Sequence, residues 1–209
     1  MRVVKYDIVT YGDVSVSYVD ELVGGGEKYG QDYLRCLPRQ VGKVDRMFEW
    51  CSGPGFIGFS LLAHGLCNTL CLADVNQAAV DACHETVRRN RLEGRVDVYL
   101  SDGLQDIPKS ERWDLVVGNP PHWGTDEELP WGPALIYNDP EWSLHRDFYS
   151  SVGRFLNPGA NVIIQESVDR SSLEDFAPMI ENGGLRVVNT CDCPVNSHIY
   201  YVWSAPETP

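Results

Sequence analysis

The chain has 209 residues, 43% of them hydrophobic and 22% charged, with a formal net charge of −13. That length and composition describe a water-soluble protein with one substantial core, and no run approaches the ~20 apolar residues that span a bilayer. The charge disfavours a long nucleic acid as main partner, because phosphate binding draws its affinity from a basic surface; it fits a small-molecule or cationic substrate, or it serves solubility.

The amino terminus, Met1 to Asp7, lacks the apolar core of a secretory signal. The seven cysteines are scattered, and Cys191-Asp192-Cys193 has the wrong spacing for a zinc pair. They read as reduced, small hydrophobes, which implies a cytoplasmic protein. No cluster predicts a metal, and nothing in the pattern fixes an oligomeric state.

Residues 6–19 alternate, with Val14, Val16 and Tyr18 opposite Ser15 and Ser17, and Gly12-Asp13 between the halves predicts a β-hairpin. Gly24-Gly25-Gly26 reads as a joint, and Tyr29 to Leu37 as a short helix closed by Pro38. Residues 1–44 are thus set apart, either as a lid-like segment hinged at the glycines or as a surface linker.

From Asp45 the pattern becomes α/β. A strand from Arg46 to Trp50 enters Cys51-Ser52-Gly53-Pro54-Gly55, and a helix runs from Phe56 to about Ala63. A strand from Thr69 to Ala73 ends in Asp74, and Asn76 caps a helix whose Ala79, Ala82, Cys83 and Val87 share one face. Val96 to Leu100 ends in Ser101-Asp102-Gly103, and Trp113 to Val117 ends in Gly118-Asn119-Pro120-Pro121-His122-Trp123. Residues 123–140 form a long loop with five prolines and glycines, a length that predicts function. Trp142, Phe148, Tyr149, Val152 and Phe155 make a helical core stripe that Asn157-Pro158-Gly159 stops. Val162 to Ile164 is a fifth buried strand, and Ser171-x-x-Glu174 predicts a capping box opening a helix that Gly183-Gly184 ends. Leu185–Thr190 and Ile199–Trp203 close the chain as an antiparallel pair. Seven strands alternating with helices predict a mostly parallel sheet with helices on both faces.

In such a sheet, ligands bind beyond the carboxyl ends of the strands. Glu49, Cys51, Gly53 and Gly55 lie on a strand-to-helix turn whose backbone can approach a ligand closely. Asp74 ends the next strand about 20 residues on, the spacing of a carboxylate that holds ribose hydroxyls. Asp102 ends the strand after that. Each aspartate alone has a helix N-cap as its alternative; three acids at three successive strand ends are hard to explain as caps. Two consecutive prolines hold the Asn119 side chain and the Pro120 carbonyl outside a helix, as a rigid pair of acceptors suited to an N–H₂ group.

On these residues the stretch from Asp45 to Trp203 resembles the class I S-adenosylmethionine-dependent methyltransferases. Within that class it is similar to the amino-methyltransferases with an Asn-Pro-Pro-aromatic signature, including protein-glutamine (release-factor) and base-amine enzymes. The resemblance implies a Rossmann-like domain over residues 45–209 with an antiparallel last strand, preceded by the hairpin and helix extension. It implies S-adenosyl-L-methionine as cofactor, with its methionine part at Glu49, Cys51, Gly53 and Gly55. Its ribose would lie on Asp74, its adenine on Asp102, with Val75 and Gly103 as neighbours and Phe56 and Tyr29 against the cofactor. Asn119 and Pro120, braced by Pro121, would accept the hydrogens of the target nitrogen, with His122 stacking on its planar group and Trp123 sharing that role. Two departures are Cys51, in place of the first loop glycine, and His122, in place of Tyr or Phe. The expectation is an N-methyltransferase acting on an amine or amide of a small molecule or protein side chain, with no membrane partner. The alternatives are an RNA or DNA base-amine methyltransferase and a non-catalytic cofactor-binding scaffold.

Overall fold

Strand-forming runs that are apolar on both sides can be buried only between two layers of helices, and that is their arrangement here. The computed structural model describes residues 4–22, 28–37, 41–127 and 134–206. In chain order it runs β1 (Asp7–Tyr11), β2 (Val14–Tyr18), α1 (Tyr29–Cys36), β3 (Val44–Trp50), α2 (Phe56–Ala63), β4 (Cys67–Asp74), α3 (Gln77–Asn90), β5 (Val96–Leu100) and β6 (Trp113–Gly118). It continues with α4 (Ala134–Tyr137), α5 (Ser143–Val152), β7 (Leu156–Ser167), α6 (Leu173–Asn182), β8 (Leu185–Asp192) and β9 (Ile199–Pro206). Seven strands form one sheet in the order β5-β4-β3-β6-β7-β9-β8, parallel except for β9, which pairs antiparallel with both β7 and β8. This is the Rossmann-like sheet with an antiparallel last strand that the sequence predicts. The order reverses between β3 and β6, so their carboxyl ends frame a crevice.

The period of two divides the core. Leu70 and Leu72 of β4 join the layer of α1, α2 and α3, whereas Cys71 and Ala73 join that of α5 and α6. Stacked rings fill the second layer, with Phe48 on Trp113 at 4.0 Å and Trp50 on Phe148 at 3.9 Å between centroids. All seven cysteines are free thiols.

The hairpin packs on the first layer, as it must, since two strands alone are marginal in water. The free edge of β2 is satisfied by α3: Ser17 N donates to Thr86 Oγ1 at 2.9 Å, and Asn90 exchanges two 2.9 Å bonds with the Ser15 backbone. α1 reaches deeper. Gly30 lies so close to α2 that a Cβ there would stand 2.5 Å from the Phe56 carbonyl. Tyr33, fully buried, sets its hydroxyl 2.6 Å from the Gly118 carbonyl and 3.0 Å from that of Ile163, and accepts from Gly118 N at 3.2 Å. The glycine joint at 24–26 and Pro38 lie outside the described residues.

Two local expectations are corrected. The capping box of α6 is Ser172 with Asp175, whose carboxylate accepts from Ser172 N at 3.2 Å. Ser171 is unavailable for capping because its hydroxyl donates to the buried Glu166 at 2.9 Å. Asn157-Pro158-Gly159 does not stop a helix: α5 ends at Val152, and these residues bulge out of β7, whose pairing jumps from Trp113–Leu156 to Leu115–Asn161. The bulge places Pro158, which has no N–H, where the ladder is interrupted.

Replacing Tyr33 by phenylalanine strips the polar partner from the buried Gly118 and Ile163 groups. Tyr33→Phe should cost ~1–3 kcal/mol in chemical denaturation. A loss within experimental error would show that the hydroxyl bridge does not couple α1 to the sheet.

Candidate functional site

The carboxyl ends of β3, β4, β5 and β6 open into a cavity of about 460 Å³. Of the residues singled out in the sequence, Tyr29, Glu49, Cys51, Gly53, Phe56, Asp74, Val75, Asp102, Gly103, Asn119, Pro120, Pro121 and His122 line it. Gly55 and Trp123 do not. Gly55 acts on the turn: at φ +80° it starts α2, and a Cβ there would stand 2.7 Å from the Phe59 ring. Leu22, Ser52, Asn76 and α4 add wall the sequence did not flag.

Three carboxylates reach the cavity by different means. Asp74 is held by backbone amides, accepting from Gly53 N at 2.7 Å and Asn76 N at 2.8 Å, so it ties the turn after β3 to the end of β4. The cap of α3 is Asn76, which accepts from Ala78 N at 3.0 Å, leaving Asp74 free of that duty. Burial raises the Asp74 carboxyl, against the Asn76, Gly53 and Val75 N–H groups. Glu49 lies beneath the turn and accepts from Gly58 N at 2.7 Å. Burial pushes Glu49 up to about 8, although the Gly58 and Ile57 amides oppose this. Asp102 is exposed at the mouth. No Lys or Arg is among the described residues that line it.

At the other end of the cavity Asn119 follows directly on Gly118, where a Cβ would stand 2.8 Å from the Trp50 carbonyl. The Asn119 carbonyl oxygen accepts from Gln165 Nε2 and is joined to His122 Nε2, both at 2.8 Å. His122 Nδ1 faces Glu166 Oε2 at 3.3 Å. Glu166, fully buried, also faces His145 Nε2 at 3.1 Å, and His145 Nδ1 meets Asp139 at 2.6 Å. Asp139 in turn caps α5, accepting from Leu144 N at 2.8 Å and His145 N at 3.1 Å. Burial opposes charge on all three, but the carboxylates lift His145 to about 9, and His145 with His122 draws Glu166 down to about 2. In this chain, Asp139–His145–Glu166–His122–Asn119, the last two are residues the sequence singles out and the first three are not, although Glu166 follows the run Val162–Ile164 much as Asp74 and Asp102 follow theirs. The same strand-end rule finds it. His145, inside an otherwise apolar stripe, gave no comparable signal.

Trp123 serves as a clamp. Its backbone accepts from Asp139 N at 2.7 Å and donates to the Tyr137 carbonyl at 3.0 Å, which holds α4 on the cavity wall. The Arg170 guanidinium lies 3.9 Å from the Trp123 ring centroid. The loop over 123–140 is therefore in part ordered wall.

Residues 31–138, about half of the chain, match the methyltransferase small domain family. The chain belongs to that family. Among curated relatives, a release factor glutamine methyltransferase of Clostridium acetobutylicum is 24% identical over 162 residues, which are 72% of this chain and 56% of that protein. A ribosomal RNA small subunit methyltransferase C of Erwinia tasmaniensis is 35% identical over 100 residues, 47% of this chain and 27% of that protein. The chain thus spans about half or less of these relatives. A methyltransferase of Pyrococcus furiosus shares the fold, with a TM-score of 0.71 at 13% identity over 91% of this chain and 88% of that one. The T. thermophilus 16S rRNA N2 methyltransferase, solved with AdoMet and guanosine, superposes with a TM-score of 0.63 at 13% identity over 97% of this chain and 50% of that one. The match to the methyltransferase small domain family includes the turn after β3, Asp74, Asp102 and the Asn119 loop, and begins within α1.

The buried ion chain in this family member makes a stability prediction. Glu166 contributes stability above its ordinary 4.5 that is lost as pH falls toward about 2, and His145 contributes stability below its ordinary 6.5 that is lost as pH rises toward about 9. His145→Gln leaves Glu166 and Asp139 without their shared cation and should cost ~3–5 kcal/mol. The gap from the wild type should be widest near about pH 5.5 and narrow above about pH 9 in urea denaturation. A gap independent of pH would mean that His145 is neutral.

Proposed function

We propose that the chain is an S-adenosyl-L-methionine-dependent N-methyltransferase whose acceptor is an amine or amide nitrogen of a small molecule or protein side chain. The observation that carries this reading is the Asn119-Pro120-Pro121 turn on the wall of the same cavity as Glu49, Asp74 and Asp102. The residues present fit the cofactor. Asp74 keeps lone pairs that would serve ribose hydroxyls while backbone amides fix its position, Asp102 and Gly103 would meet the adenine amino group, and Glu49, Cys51 and Gly53, on the same wall, would hold the methionine end. Leu22 and Tyr29 from the amino-terminal segment cover it, which supports a lid-like role for part of residues 1–44.

When bound, the cofactor supplies an electrophilic methyl on a sulfonium. The carbonyl oxygens of Asn119 and Pro120 take the two hydrogens of the target nitrogen, favour its pyramidal form and aim its lone pair. This is positioning and electrostatic stabilisation rather than strong-base chemistry. The net charge of −13 and the absence of Lys and Arg among the described wall residues favour an acceptor without phosphates. The rRNA methyltransferase relative favours a second reading, an RNA base amine. Labelled-methyl transfer to a glutamine peptide, to free amines and to an rRNA fragment separates them: transfer to RNA alone, falling steeply with salt, would favour the second. No transfer to any would leave a cofactor-binding scaffold.

Glu49 offers a test of cofactor placement. Below about 8 this carboxyl holds its proton, and a cationic methionine end favours its loss. Binding should therefore release up to one proton and tighten by up to ~10-fold for each unit that pH rises toward about 8, a dependence absent in Glu49→Gln. Calorimetry in buffers of differing ionisation heat reads the proton count; a count of zero would remove Glu49 from the site.

Asn119→Ala should lower turnover by on the order of a hundredfold or more with cofactor affinity nearly unchanged, and Asn119→Asp should be intermediate. Equal losses in both measurements would make Asn119 a cofactor or structural residue. Full activity in the alanine variant would end the N-methyltransferase assignment.

A further inference from the structure

We propose that Glu166 is a positioning residue of the acceptor site: acting through His122, it controls whether the carbonyl oxygen of Asn119 is free to accept the N–H of the methyl acceptor. An amide oxygen has two lone pairs. In this structure both are engaged, one by Gln165 and one by His122, each at 2.8 Å. Gln165 is buried and stays, with the Tyr201 hydroxyl 3.4 Å behind it. His122 is the movable partner, since it is partly exposed and lines the cavity. A target nitrogen that uses Asn119 must therefore take the place of His122.

Glu166 sets the terms of that exchange. Its ionised carboxylate is held from behind by His145 on Oε1 and Ser171 on Oε2, and Oε2 keeps a lone pair facing His122 Nδ1, so that edge donates to it and Nε2 points at Asn119. With a proton on Nε2, His122 donates to the Asn119 oxygen and blocks it. Without that proton, the Nε2 lone pair faces the lone pairs of the oxygen, the contact is lost, and Asn119 has a site open for the acceptor. The groups that bear on His122 are Glu166 from β7, with His145 of α5 and Asp139 before that helix behind it. Arg170 lies over the neighbouring Trp123, and Glu49, Asp74 and Asp102 line the rest of the cavity.

The inference rests on Asn119 as the acceptor contact, but its test needs neither acceptor nor cofactor. Nitrogen-15 NMR of the full chain follows the His122 ring and the Asn119 side-chain amide as pH is raised. The Asn119 signal should move in step with loss of the His122 Nε2 proton, and the movement should vanish in His122→Phe. In Glu166→Gln the carboxylate that faces the Nδ1 edge is gone, so the His122 ring should lose its single tautomer and the Asn119 signal should no longer follow it. Should that variant not fold, Ser171→Ala removes a competing donor from Glu166 Oε2 and should shift the His122 Nδ1 signal and, with it, that of Asn119. An Asn119 signal that is flat in the wild type, or unchanged by both variants, overturns the proposal. A failed methyl-transfer assay alongside a coupled Asn119 signal would count against the function proposed above and leave this coupling standing.

Discussion

Threading β6 between β3 and β7, all three parallel, is the constraint on which the rest depends. Its last residue must lie against the Trp50 carbonyl with no room for a Cβ, and its amide must find the Tyr33 hydroxyl. Only then does the next residue, Asn119, leave the sheet at the level where β3, β4 and β5 deliver Glu49, Asp74 and Asp102. Pro120 and Pro121 convert that exit into a fixed direction, because neither can rejoin a ladder or start a helix with Asn119 in it.

Burying charge beside that exit is expensive, and the fold offsets the cost by pairing. Asp139 and Glu166 flank His145 on both ring nitrogens, the Asp139 carboxylate also caps α5, and Ser171 gives up a capping role to satisfy Glu166. Removing His145 from this set would leave two carboxylates without their shared cation in a dry place. What it offers in exchange is one defined orientation for His122 and, through it, for Asn119.

The amino-terminal segment is held by the same logic of satisfied backbone groups. The β2 edge is closed by Thr86 and Asn90 side chains, and α1 sends Tyr33 between β6 and β7. Leu22 and Tyr29 then overhang the cavity from a segment whose neighbours on both sides are anchored.

Periodicity determined by itself that Trp113–Val117 is a buried strand, that seven such strands alternate with helices, and that the last two close as a hairpin, because a period of two with apolar faces on both sides has few other solutions. The strand-end acids and Asn119 were legible for the same reason: position relative to a strand's carboxyl end is a property of the local chain. Contacts between segments far apart were not legible. Tyr33 meets residues 85 and 130 positions away, and His122 finds Glu166 44 positions on. Nothing local distinguishes Ser171 from Ser172 as a cap until Glu166 claims one of them. The strand order decided these, because hydrogen-bond partners are chosen by proximity in the folded sheet and a chain carries no local record of which distant residue will be adjacent.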